Sequence, residues 1–313
     1  MILIVYSALT GLVYGLLLFL IAAGLTLVFG IMGVVNFAHA SFYMLGAYFA
    51  YVLSKYIGFW GSLLVAPLLV ALVGIGVERF LLRPAHKHGA GHEMLITFGL
   101  VIVFEEVIKL LFGNRLIDYS VPPELNFAAF SVLDINYPFY RLLVGIISVV
   151  LFALLFALLH WTRVGTLVRA AVQRPDMVGA LGHNVPMLFM TVFGIGTWMA
   201  GVAGVVGGAL LTTSPEMGMQ LAIPTFVVVV VGGLGSLQGA LYASLLIGVC
   251  TFVMVSLDVS LADAANLVGL GEQFRAMGGL ATVKLSTFAG SVPVLLMLLI
   301  LLLRPAGLKG DRA

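Results

Sequence analysis

Long apolar runs alternate with short polar breaks along this chain. The first 54 residues contain no Asp, Glu, Lys or Arg. They predict one span over residues 4–29, a Gly-rich break GIMGVVNFAHA over 30–40, and a second span over 41–53. A short aromatic turn over 55–60 leads to a third span over 62–80. A polar loop over 79–92 and a fourth span over 95–112 follow. Residues 114–137 read as a mixed loop, and 139–161 as a fifth span. After a basic stretch at 162–185 comes a Gly- and Ala-rich span over 187–211. The apolar run at 221–234 covers only about 20 Å of a roughly 30 Å hydrocarbon core. The break GGLGSLQG, a run over 240–257, a polar loop over 258–287 and a last span over 288–303 complete the pattern.

Composition fixes the solvent. Hydrophobic residues make up 62% of the 313 and charged residues 9%, against about 25% charged in soluble domains. Continuous runs of this length predict helices rather than the alternating strands of a closed barrel. The expected fold is therefore all-α, a polytopic transmembrane helix bundle with eight or nine spans. It forms a single domain over residues 1–313. Cys250, the single cysteine, excludes an internal disulfide. No basic stretch precedes the first apolar run, so a cleaved signal peptide is not expected.

Charge then orients the runs. The loops at 78–93 and 162–185, with the C-terminal tail, hold nine of the 15 Lys and Arg and four of the 13 Asp and Glu. The other side holds the remaining six basic and nine acidic residues. Basic excess marks the cytoplasmic face. The 162–185 stretch and the C-terminus are thus expected inside, in a bacterial inner membrane. This requires the short 221–234 run to cross or nearly cross.

Three features carry candidate chemistry. In the 162–185 stretch, Gly165, Ala170, Ala171, Gly179 and Gly182 permit close approach by a partner. Arg169 and Arg174 offer forks to carboxylates, and Asp176 is placed to cap a turn after Pro175. An ordinary cytoplasmic loop held inside by its charge is the plainer reading. In the first break, Gly30 loosens the helix while Asn36 and His39 bring polar groups into an apolar setting, which is costly unless they bond inside the bundle. The second break places Gly232, Gly233 and Gly235 comparably in the other half. Paired Gly-interrupted segments point to a translocation path, and close packing through small residues is the alternative. Finally, Glu105 and Lys109 are spaced to pair on one helix face, and His86, His88 and His92 read as a solvated loop. No P-loop, Ser-hydrolase, zincin or paired-Cys motif occurs, so no enzyme activity, metal or cofactor is expected. Nothing suggests nucleic acid.

Thr26-Leu27-Val28-Phe29-Gly30, Asn36-Phe37-Ala38-His39 and Tyr43-Met44-Leu45-Gly46-Ala47-Tyr48 closely resemble permeases of branched-chain amino acid importers of the LivH type. Val230-Val231-Gly232-Gly233-Leu234-Gly235-Ser236 and Arg304-Pro305-Ala306-Gly307-Leu308 match the same family. The likeness departs at Arg169-Ala170-Ala171, where other importers carry Glu-Ala-Ala, and at Glu105-Glu106. It implies an ABC-importer permease whose 162–185 segment contains a coupling helix for the ATPase. ATP would be used by two cytoplasmic partner subunits, with no cofactor on this chain. A second permease subunit, paralogous or identical, a solute-binding protein outside and membrane lipid complete the implied partners. The rivals are an ion-gradient secondary transporter, for which only Glu105 or Glu106 approaches a central carboxylate, and a passive urea or amide channel.

Overall fold

A helix can be buried on every side only if it is apolar on every side, and the first apolar run is. The computed structural model describes residues 2–33, 35–132, 135–257, 259–266, 271–277, 279 and 282–310. Helix α1 (Ile2–Met32) is its axis, with residues 17–23 wholly shielded. Around it stand α2 (His39–Val77), continued through a π-helical turn (Glu78–Leu82) into α3 (Arg83–His86), and then α4 (Ala90–Phe112). Strands β1 (Ala128–Val132) and β2 (Ile135–Pro138) precede α5 (Phe139–Trp161), α6 (Arg163–Gln173) and α7 (Pro175–Ala180). Next come α8 (Val185–Gly208), α9 (Met217–Gly232), α10 (Leu237–Ser256), α11 (Leu261–Ala265), α12 (Gly271–Met277) and α13 (Val292–Leu303).

Among the described residues, six stretches are long and apolar enough to cross a membrane: Leu3–Gly30, His39–His86, Phe139–Trp161, Val185–Gly208, Leu237–Ser256 and Leu285–Leu303. The 39 residues of α2 would reach about 58 Å if straight, nearly twice a hydrocarbon core. Gly58 divides them, with φ 69° and ψ 178°. That left-handed φ suits glycine because no Cβ opposes it. The turn expected over 55–60 thus shrinks to one residue. The polar loop expected over 79–92 is mostly helical. A second correction concerns fold class: β1 and β2 form an antiparallel hairpin, so the chain is mostly rather than wholly helical. Stacked rings of Phe130 and Tyr137, 5.2 Å apart, support the hairpin.

Contacts between loops sort the helix ends into two faces. On one, Arg141 donates to Tyr6 Oη at 3.1 Å and Thr10 Oγ1 at 2.9 Å, and the Ile117 amide donates to the Thr213 carbonyl at 2.9 Å. On the other, Arg83 donates to the Pro186 carbonyl at 2.9 Å, Gly30 neighbours Gly235, and the tail packs on Gly232 and Gly233. The three basic regions assigned to one side therefore lie together. Of the charges in that assignment, Asp134, Asp258, Asp311 and Arg312 fall outside the described residues.

On the first face, Asp263 accepts from the Ser260 hydroxyl at 2.7 Å, the Ser260 amide at 3.0 Å and Arg275 at 2.8 Å. The Ser260 bonds, then the Arg275 bond, hold its carboxyl down from 3.8 to about 2. A depressed carboxylate favours the folded form above its unfolded value and loses that contribution as pH falls through the folded one. The hydrogen-exchange protection factor over residues 260–266 is accordingly expected to fall between about pH 4 and pH 2. In Asp263→Asn this pH dependence disappears; an unchanged profile would show that the carboxylate does not hold the segment.

Candidate functional site

The basic stretch folds as two short helices on the second face. Thr162 starts α6 by accepting from the Gly165 amide at 3.1 Å, an N-cap of the usual kind. Gly165, Val168 and Ala171 turn inward at helical spacing, and Val178 of α7 joins them. Gly165 sits so close to the Leu158 and Leu159 carbonyls that a Cβ would overlap them. Arg174 breaks the backbone between the helices at φ −146° and ψ 78°, outside the helical region that a residue before proline avoids. Pro175 then opens α7. Arg174 occupies the N-cap position and no side chain caps the helix. The cap expected from Asp176 is therefore absent, and its charge acts only on the helix N-terminus. Gly182 ends α7 at φ 85°, with the His183 amide donating back to the Val178 carbonyl at 3.2 Å.

The candidate coupling residues divide accordingly. Gly165 and Ala171 face the bundle. Arg169, Ala170, Arg174, Asp176, Gly179 and Gly182 are exposed. Arg169 also donates to the Leu159 carbonyl at the end of α5. Beside them Trp161, Met177, Leu181 and Met187 lie bare. Reading the chain alone missed the brace behind this surface. Arg83 bridges Glu78 at 2.8 Å and the Pro186 carbonyl at 2.9 Å, while His86 pairs with Glu93. Both carboxylates are 2% exposed. An acidic residue at each edge of the 78–93 loop was the available signal.

The first break lies deeper. Asn36 Oδ1 accepts from the Ala38 amide at 3.0 Å and shapes the turn into α2. The Phe37 amide donates to Thr97 Oγ1 of α4 at 3.3 Å. His39 is buried against Gly24 of α1. Asn36, His39 and Thr225 of α9 line a small cavity with Leu25, Phe37 and Phe226. Thr225 was not among the sequence candidates, because one Thr in an apolar run is compatible with any helix.

Of the remaining path candidates, Gly30 and Gly235 are neighbours. Gly232 packs on Gly239 and Ala240, and Gly233 packs on Ala306 and Gly310 of the tail. Those two glycines lie at a tight hairpin and a tail seat rather than at the cavity. Glu105 and Glu106 both bind Lys109, at 2.7 and 3.0 Å, near the end of α4.

The family model described as branched-chain amino acid transport system / permease component matches residues 7–301. This chain belongs to that family. The permease is 27% identical to the high-affinity branched-chain amino acid transport system permease protein LivH of Salmonella typhimurium, over 93% of this chain and 90% of the relative. It is 26% identical to the corresponding BraD protein of Pseudomonas aeruginosa, over 96% and 94%. A probable branched-chain amino acid transport permease LivH of Methanocaldococcus jannaschii is 29% identical over 76% and 77%. No solved structure matches. The permease is a multi-pass inner-membrane protein, and its relatives are transport proteins rather than enzymes.

Proposed function

We propose that this permease is the membrane subunit of an ATP-driven importer for branched-chain amino acids or a related small polar solute. The observation that carries the reading is the exposed surface of α6 and α7, where Arg169, Ala170, Arg174, Asp176, Gly179 and Gly182 lie beside bare Trp161, Met177 and Leu181. Apolar side chains ringed by charge on the basic face suit a soluble protein partner. That partner is a pair of cytoplasmic ATPase subunits, which supply the ATP chemistry this chain lacks. A second permease subunit and an external solute-binding protein complete the assembly.

In this reading the bundle makes eight or nine crossings, two of them in α2, with α9 crossing fully or nearly so. The basic face and C-terminus are cytoplasmic. ATP-driven closure of the motor moves α6 and α7, and the Arg83 bridge and α8 pass the movement to the break at 30–40. Gly30, Asn36, His39 and Gly235 then border the path that opens inward, and Gly232 and Gly233 form its second joint. Glu105 and Glu106 are bound to Lys109 near a helix end, which weighs against either serving as the central carboxylate of a gradient-driven carrier.

Gly182→Trp tests the docking surface. Its φ of 85° strains any side chain, so Gly182→Ala serves as the control for strain without bulk. In the reconstituted importer, Gly182→Trp is expected to insert normally yet lose all stimulation of the ATPase by loaded binding protein. Gly182→Ala keeps most of it. Normal uptake by Gly182→Trp would remove the docking role.

A further inference from the structure

Helix α4 differs from the other long helices in where it carries charge. Among the described residues, the others hold Asp, Glu, Lys or Arg only within about a turn of their ends or of the Gly58 break. α4 holds Glu105 and Glu106 deeper. From Ala90 to Glu106 is about 24 Å of helix, and from Glu106 to Phe112, toward the first face, about 9 Å. Lys109 lies nearer that end and has the long stem that lets a charge reach the interface. Glu106 has neither advantage.

The helix turns Glu93, Thr97, Leu100, Val101 and Ile108 inward. Leu95, Ile102, Glu106 and Leu110 recur at helical spacing on the opposite side. All four are exposed. Glu106 is 58% exposed and its neighbour on the stripe, Leu110, 83%. A carboxylate therefore projects from the middle of an otherwise apolar outward stripe. Lys109 binds Glu105 at 2.7 Å and Glu106 at 3.0 Å. One ammonium against two carboxylates leaves the group one negative charge in excess. Hydrocarbon cannot solvate that excess, and ionised side chains inside a membrane almost always face another protein element or water.

We infer that the outward stripe of α4 is the seam with the second permease subunit, and that this subunit is a related chain presenting Lys or Arg to Glu106 rather than a second copy of this one. The inference rests on the transport reading above, which sets the ATPases at the basic face and the binding protein at the opposite one. Alongside α4 that leaves lipid and the second permease, and the carboxylate disfavours lipid tails. Two copies of this chain in one orientation would be related by a two-fold axis along the membrane normal. Equal stripes would then meet at equal depth, with four carboxylates against two ammonium groups. Like charges set together in a desolvated seam repel. A paralogue with a cation at that depth neutralises the excess and fixes which chain pairs with which.

The test uses the complete importer, isolated from membranes by a tag on this chain. A photoreactive benzoylphenylalanine at Ile102 is expected to capture the second permease, identified by mass. The same probe at Ile146, also outward on α5 and about 10 Å from the first-face end of its helix, is expected to capture lipid. Glu106→Gln keeps the shape and removes the charge. The second permease that copurifies is expected to fall about tenfold, as for loss of one hydrogen bond to a charged group, and Glu106→Lys lowers it further. Ile146→Lys places a charge at similar depth away from the stripe and should keep the second permease. Capture of lipid alone at Ile102, or of a second copy of this chain, would overturn the seam. Parent-level copurification in Glu106→Lys would overturn the charge pairing. An equal loss in Ile146→Lys would assign the effect to charge in the membrane, and would also overturn it. If the unaltered tagged chain brings down no ATPase, the transport reading itself fails, separately from any variant.

Discussion

Gly204→Leu is expected to melt far below the parent permease and to accumulate poorly in the membrane. The reason lies in how α2 and α8 meet. Lipid gives two apolar helices little reason to associate, so close packing through small residues must supply it. α2 and α8 pair more extensively than any other helices in the bundle. A Cβ on Gly204 would overlap the Tyr43 carbonyl and lie 2.9 Å from the Ala47 amide nitrogen and 3.0 Å from Gly46 Cα. These obstacles are backbone, not flexible side-chain tips. Overpacking costs about 1–3 kcal/mol where neighbours can shift, and a seam closed by backbone belongs at or above the upper end. Gly99→Leu on α4 is the control, because nothing stands within 4 Å of a Cβ there. It should change stability by no more than about 0.5 kcal/mol. Equal melting of the two variants would show that the seam tolerates separation.

The pattern of apolar runs placed the main helices because lipid demands continuous hydrophobicity, and that demand is visible residue by residue. The details it concealed are those that depend on a single position or a distant partner. Gly58 turns α2 with one residue, so no polar stretch announces the reversal. The hairpin at 128–138 sits in a segment whose apolar residues, Phe130 and Tyr137, stack on each other across the turn. The 162–185 segment was legible through its basic residues between two apolar runs, and Gly182 only as one of its small residues. The cap was assigned to Asp176 from residue type alone. Pro175 instead takes the first helical position and displaces the cap to Arg174. The candidate path divided for a similar reason. Asn36 and His39 are polar in an apolar stretch and were conspicuous. Thr225 gained its meaning only when α9 was set against the break.

Two motifs that the chain keeps some 70 residues apart turn out to be one structure. α9 has 16 residues, about 24 Å of helix, and it ends at the second face with Val231, Gly232 and Gly233 buried. The last carbonyls of any helix lack partners within it, and in an apolar setting water cannot supply them. Here the tail does so. The Leu308 amide donates to the Val231 carbonyl at 2.8 Å and the Lys309 amide to the Gly232 carbonyl at 3.1 Å. Lys309 Nζ reaches Gln238 Oε1 of α10 at 3.1 Å. Gly307, at φ 77°, lies so near Gly233 that a Cβ would come within 2.7 Å of its amide nitrogen. The terminal Arg304-Pro305-Ala306-Gly307-Leu308 motif is thus the cap of the Val230–Ser236 motif.

Deleting residues 305–313 is expected to destabilise the permease by about 2–6 kcal/mol, from two buried acceptors left unpaired at about 1–3 kcal/mol each. The damage should be local first. Hydrogen exchange is expected to rise over 225–233, next to Thr225, before the α2–α8 seam responds. Gly307→Val separates the cap from the rest of the tail, since it keeps the tail's length and charge but cannot adopt the seat. It should reproduce most of the loss. A truncated permease with unchanged exchange over α9 would mean that the tail merely rests on the helix end, and that the short helix satisfies its carbonyls by another route.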